Sequence, residues 1–163
     1  MSISNQYIQR NILKHITDYE VFTTDDKDFP KNINISNNSP GFDLLLKTKN
    51  KYVRIQSKLR QVNGLNNWSK QVYLETTRRN SKKNINKNHT GHVCYSLNEF
   101  DFLFISLVNI RKSFKYREDC NKWSFCLIPI NELEDKDHSC CVSMIDKNII
   151  KKNIININNK LNL

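Results

Sequence analysis

Glycine and proline are both scarce, three of each in 163 residues. That excludes collagen-like repeats and Gly/Pro-rich low-complexity chains. No window approaches the ~18 uninterrupted apolar residues that span a bilayer. The start, Met1-Ser2-Ile3-Ser4-Asn5-Gln6, has no basic stretch leading into an apolar run, so no secretory signal is read there. The expectation is a soluble cytoplasmic protein with no membrane partner. Paired cysteine motifs are missing too. The five cysteines contain no CxxC, and Cys140-Cys141 beside His138 does not have zinc-finger spacing. Reduced thiols in a cytosol fit better. Acids are missing from one region only. Residues 41–90 carry 12 Lys/Arg against 2 Asp/Glu, and the rest of the chain carries 14 of each. The formal net charge of +10 therefore sits in one segment. A localised basic field suits a polyanionic substrate; the plainer alternative is a solvated basic surface.

The length suits one domain with a sizeable core, spanning 1–163. Ile8, Ile12, Ile16 and Tyr19 fall at helical spacing, so residues 6–20 read as an amphipathic helix. Val21–Thr24 reads as a short strand, and 25–40 as a polar loop bracketed by Pro30 and Pro40. Residues 41–47 and 51–58 read as adjacent strands joined by Lys47-Thr48-Lys49-Asn50. Leu44-Leu45-Leu46 is the unbroken apolar run of a strand covered on both faces. Further strands are read at 71–77, 102–108 and 123–129. Arg78–Asn84, continued by His89 and His92, reads as a basic loop. Ser96–Glu99 has the form of a capping box, and Asn131–Glu134 suggests a helical turn. Residues 144–163 read either as a last amphipathic helix or as a frayed tail. The class is α/β: a central mixed sheet of four or five strands with helices on its faces.

The chemistry concentrates in the 41–58 pair. Asp43 stands near the start of the first strand. Gln56 and Lys58 flank Ser57, so in a strand they share a face. Phosphodiester hydrolysis with Mg²⁺ needs hard oxygen ligands in octahedral geometry. Asp43 offers a charged oxygen, the Gln56 side chain a neutral one, and the Ser57 backbone carbonyl a third. Lys58 can hydrogen-bond the attacking water or stabilise charge on the phosphate. An exposed Asp, Gln and Lys on an ordinary hairpin would give the same spacing. The apolar strand, the confined positive charge and the order of later strands favour the functional reading.

These residues resemble the restriction-endonuclease-like nucleases of the PD-(D/E)XK type, whose motif is an acid on one strand and (E/D)-x-K on the next. Pro40-Gly41-Phe42-Asp43 stands for the first half and Gln56-Ser57-Lys58 for the second. Two residues separate Pro40 from Asp43, where the motif has none. Gln56 replaces the usual acid, as in some homing and restriction endonucleases of this fold. The family often adds an acid from the first helix, a role open to Asp18 or Glu20. The resemblance implies a restriction-endonuclease-like core and a Mg²⁺-dependent, site-specific DNA endonuclease of restriction or homing type, with Mn²⁺ able to substitute. It also implies double-stranded DNA as substrate and a homodimer or higher oligomer, because cutting both strands needs two sites. Asp43, Gln56 and Lys58 would be catalytic, and Asp43, Gln56, the Ser57 carbonyl and Glu20 would face the metal.

Arg54, Arg60, Lys70, Arg78, Arg79, Lys82, Lys83 and Lys87 are the expected DNA contacts, since arginine and lysine bind phosphates and arginine reads guanine. His89 and His92 read as DNA-facing or exposed rather than as a catalytic pair. Trp68 and Trp123 read as core. Ser57 lacks a His–Asp partnership and is not read as a nucleophile. The alternative to an enzyme is a DNA-binding module with this fold in which Gln56 has weakened the metal site.

Overall fold

The computed structural model describes residues 5–33, 41–62, 71–73, 77–79, 92–96, 99–109, 123–133, 139–140 and 144–163. Helix α1 (Asn5–Thr17) leads into β1 (Glu20–Thr23). The strands β2 (Leu44–Lys47) and β3 (Tyr52–Val62) follow. Next come β4 (Gln71–Tyr73), β5 (Thr77–Arg79), β6 (His92–Ser96) and β7 (Phe102–Asn109). After β8 (Ser124–Pro129) a 3-10 turn (Ile130–Glu132) leads on to β9 (Ser139–Cys140), β10 (Met144–Asp146) and α2 (Lys147–Lys152).

Five strands form the main sheet in the order β1-β2-β3-β7-β8. It is mixed: β3 and β7 run parallel, and the other neighbours are antiparallel. This is the expected α/β class with a sheet of the expected size. The parallel seam pairs Ile55–Val62 with Phe102–Asn109. Leu44, Leu45 and Leu46 are each 0% exposed, so β2 is covered on both faces as its leucine triplet implies. Leu44 and Leu46 join Ile8, Leu13, Ile16, Val53, Ile55 and Phe104 beneath α1. Leu45 joins Phe42, Phe100, Leu103, Ile105, Ile145 and Ile150 on the other side. Burying each such side chain contributes about 1.5–3 kcal/mol.

Helix α1 ends at Thr17, three residues short of the expected end. Asp18 follows in the left-handed conformation, φ 58°, with its N–H on the Lys14 carbonyl at 3.2 Å. In a chain this poor in glycine, an aspartate fills the position that glycine usually takes after a helix. Gly41 is needed for a different reason. A Cβ there would lie 2.5 Å from Glu99 Cβ.

Several local expectations are corrected. Arg78, Arg79 and His92 are not in a loop: β5 and β6 pair them as strands, Arg79 opposite His92. Of the capping box, Ser96 ends β6 opposite Ser139 and Glu99 lies in a bend, while Leu97 and Asn98 lie outside the described residues. Of the expected strand at 71–77, residues 74–76 lie outside the described residues, and its two ends pair differently. Gln71–Tyr73 pairs with β10, and Thr77 belongs to the β5–β6 pair. The 144–163 segment is neither one helix nor a frayed end. After α2, Ile154 bridges Cys126, Ile155 N–H donates to the Phe125 carbonyl at 2.9 Å, and Leu161 N–H donates to Ile16 at 2.8 Å. Pro40, Trp68, Lys70, Lys82, Lys83, Lys87, His89 and His138 lie outside the described residues. Among the described residues no helix is long and apolar enough to cross a membrane.

Candidate functional site

The β2–β3 register sets the site. Leu44 pairs with Ile55, and the chain just before β2 stays attached through Asp43 N–H, which donates to the Ile55 carbonyl at 2.8 Å. Asp43 therefore stands across from Gln56. Its Oδ2 accepts hydrogen bonds from Gln56 Nε2 and from the Ser57 N–H, the latter at 2.8 Å. Gln56 is 5% exposed. Burial pushes the Asp43 carboxyl above its usual range. The Ser57 N–H, the Lys58 charge and a hydrogen bond from Gln6 pull the other way without cancelling the rise.

Gln56 Nε2 also lies 3.4 Å from the Ser57 carbonyl. Two oxygens, one anionic and one neutral, thus converge on a single donor. Turning the Gln56 amide over would present its oxygen beside them; the two ends of an amide are nearly isosteric. The donor set is then three hard oxygens, which fits a cation such as Mg²⁺. It brings one formal charge, and no group of three or more His, Cys, Asp or Glu able to hold a metal occurs among the described residues.

Helix α1 supplies residues that the sequence reading missed. Gln6 reaches Asp43. Asn5 Nδ2 donates to Ser57 Oγ at 2.8 Å, and Gln9 Nε2 donates to the Lys58 carbonyl at 3.3 Å. The signal was available: Asn5 and Gln9 lie a helical turn apart, and Gln9 adjoins Ile8 on the stripe that faces the sheet. Their neutral side chains match no metal-ligand pattern, which calls for carboxylates.

Other expected residues stand elsewhere. Glu20 is not brought to Asp43. It pairs with Lys47 at the far end of β2, with 3.6 Å between Lys47 Nζ and Glu20 Oε2. It lines a groove of about 790 Å³ with Arg10, Lys14 and Lys47 along the β1 edge. Asp18 binds Lys160 Nζ at 2.7 Å. Arg54 is engaged by Asp101, with NH2 to Oδ1 at 3.0 Å and Nε to Oδ2 at 3.2 Å. Arg60 lies on β3 beyond Lys58, half-buried and with an interaction of its own. Arg78 and Arg79 belong to the separate three-stranded sheet β5-β6-β9.

No protein-family profile and no curated protein matches the chain. The chain is similar to the solved structure of Archaeoglobus fulgidus Hjc, a Holliday junction resolvase from an archaeal hyperthermophile. The two share 12% identity at a TM-score of 0.38, over 90% of this chain and 88% of that one. At that score the likeness is no ground for assigning a function.

Proposed function

We propose that this protein is a Mg²⁺-dependent DNA endonuclease, site-specific and of restriction or homing type, that acts on double-stranded DNA as a homodimer or higher oligomer. The observation that carries the reading is the meeting of Asp43, Gln56 and Ser57 across the β2–β3 pair, with the Lys58 charge bearing on Asp43. It brings together the acid and the Q-x-K half of the sequence motif. The basic surplus of residues 41–90 supplies the field for a polyanion.

Asp43, the Gln56 amide oxygen and the Ser57 carbonyl would hold the cation. When bound, Mg²⁺ or Mn²⁺ lowers the pKa of water and offsets charge building on the phosphate. Asp43 contributes the only formal negative charge of this donor set. Lys58 orients the attacking water or neutralises a phosphate oxygen. Water adds to phosphorus and loses its proton to solvent. The P–O bond to the leaving sugar oxygen breaks, and that oxygen takes up a proton.

The test is digestion of a DNA of known sequence with Mg²⁺, followed by mapping of the ends. Discrete ends are expected from the wild type, and Lys58→Ala should lose cleavage by about 10²–10⁴-fold while keeping DNA binding. Retained cleavage in that variant would remove the site assignment. One observation favours a second reading, a DNA-binding module without turnover. The Gln56 N–H occupies Asp43 and turns a donor, not an oxygen, toward the carboxylate. Under that reading the wild type binds DNA with steep salt dependence and never cuts, whereas Gln56→Glu acquires Mg²⁺-dependent cleavage.

A further inference from the structure

We propose that Asn5 and Gln9 are positioning residues of this site. From successive turns of α1 their amides grip Ser57 and Lys58. They set where the Ser57 carbonyl and the Lys58 side chain stand. The inference rests on the nuclease reading for its catalytic consequence, though not for the contacts themselves.

Gln9 is 0% exposed. Its Nε2 faces three acceptors: the Lys58 carbonyl at 3.3 Å, the Phe104 carbonyl at 3.0 Å and Ser106 Oγ at 2.9 Å. These belong to both strands of the parallel seam, so Gln9 ties the Lys58 peptide on β3 to the frame of β7. Asn5, a turn earlier, holds Ser57 Oγ at 2.8 Å. Residues so spaced stack on one helix face, and here they take consecutive residues of β3.

Packing alone does not account for either amide. Ile8, Leu13, Phe104 and Val108 form the apolar cluster beneath α1, and a leucine at position 9 would suit it. Instead Gln9 Oε1 and Asn5 Oδ1 are buried with no hydrogen-bond partner among the described residues. An unmatched buried oxygen is unfavourable. Two of them on the same helix face, each on an amide whose nitrogen holds the Ser57–Lys58 segment, place the value of these side chains in their donor ends. Ser57 N–H is also one of the donors to Asp43. A shift of this segment therefore moves the carboxylate, the carbonyl and the lysine together.

The experiment compares Gln9→Leu and Asn5→Ala with Leu13→Ala, a packing control on the same helix. Two readouts are taken: the maximal cleavage rate against KM for DNA, and amide hydrogen exchange along β3 and β7. Gln9→Leu is expected to lower the maximal rate at least 10-fold with KM within about 3-fold, and Asn5→Ala to do the same more weakly. Exchange should quicken at Ser57 and Lys58 while Ile55, Phe104 and Leu107 keep their protection. Leu13→Ala should lower Tm and loosen β3 and β7 evenly, leaving the rate at permissive temperature unchanged. An unchanged rate and unchanged Ser57 exchange in Gln9→Leu overturn the proposal, as does even loosening like that of the control. If Gln9→Leu does not fold, Asn5→Ala decides by the same two criteria. A wild type that cuts no DNA removes the nuclease reading instead, and the exchange data still decide whether α1 holds this segment.

Discussion

Two carboxylates accept hydrogen bonds from the backbone of β3, and their partners differ. Asp101 Oδ2 accepts the Arg54 N–H at 2.8 Å, and the Arg54 guanidinium closes on both of its oxygens. Asp43 Oδ2 accepts the Ser57 N–H at the same 2.8 Å, but the side chains that hydrogen-bond it are amides. Asp101 has its own cation in a forked, charge-assisted pair. Asp43 has Lys58 acting by charge and two neutral amides, in a place where burial disfavours the ionised form. A strand that needed only a staple could have used the first arrangement twice. The second leaves a carboxylate held by the Ser57 N–H and by two neutral amides, without a forked cation of its own, and perturbed carboxylates of this kind gather at functional sites.

The largest effect that sharpens the contrast is expected from Asp43→Asn. Cleavage should fall by about 10³-fold or more if the carboxylate is a metal ligand. Stability should rise, because the neutral amide escapes the desolvation that raises the Asp43 pKa. Activity on a plasmid and a thermal melt check the two halves. A variant that loses both activity and stability would place Asp43 with Asp101, as a structural group.

Arg54→Met breaks the other side of the comparison. It leaves Asp101 without its fork and should cost about 1–3 kcal/mol, toward the low end because the pair is about one-third exposed (33% and 37%). DNA affinity and its salt slope should hardly move, since the guanidinium is spent on Asp101. A slope reduced by about one would restore Arg54 to the DNA contacts expected from the sequence.

The pH dependence of the Asp43→Asn gain separates the two carboxylates further. Burial holds the folded pKa of Asp43 above the ordinary aspartate value of 3.8. Its protonated form is therefore favoured in the folded protein. That contribution is fully present below 3.8 and is lost as pH rises through the folded value. The melting difference between Asp43→Asn and wild type should thus widen upward from about pH 4 and level off above the folded pKa. Melts across pH 3–8 measure it; a difference that shrinks as pH rises would mean a lowered pKa and a well-compensated carboxylate.

Where the sequence is strongly patterned, the architecture was legible from it. Leu44-Leu45-Leu46 announced a strand buried on both faces, and the run Phe102–Val108 a central one. The pairing of Asp43 with Gln56 followed from two strands and a short turn, because antiparallel neighbours so joined have little freedom of register. What stayed hidden depends on partners distant in the chain. Arg54 looked like a DNA contact because Asp101, 47 residues away, gives no local sign of claiming it. Residues 78–79 and 92 looked like loop because their strand character comes from pairing with each other. The Asn5 and Gln9 amides carry no local sign for a chemical reason: metal-ligand patterns are written in carboxylates, and the partners of these neutral donors, Ser57 Oγ and the Lys58 carbonyl, are some fifty residues away.

The smallest effect concerns Glu20. The resemblance to PD-(D/E)XK nucleases made it a possible extra acid for the metal, and in the structure it faces Lys47 across β1 and β2 with side-chain exposures of 66% and 52%. At 3.6 Å between such exposed groups the attraction is largely screened, and holding two long side chains together offsets what remains. Glu20→Ala should therefore change neither Tm nor the Mg²⁺ concentration needed for half-maximal cleavage. The register argues the same way. Thr23, not Glu20, pairs with Leu44 beside Asp43, so Glu20 is offset along the strand by three residues, about 10 Å. If Glu20→Ala raised the Mg²⁺ requirement 10-fold, the cation would have to be sought toward the β1 edge, and the contrast between Asp43 and Asp101 would no longer locate it.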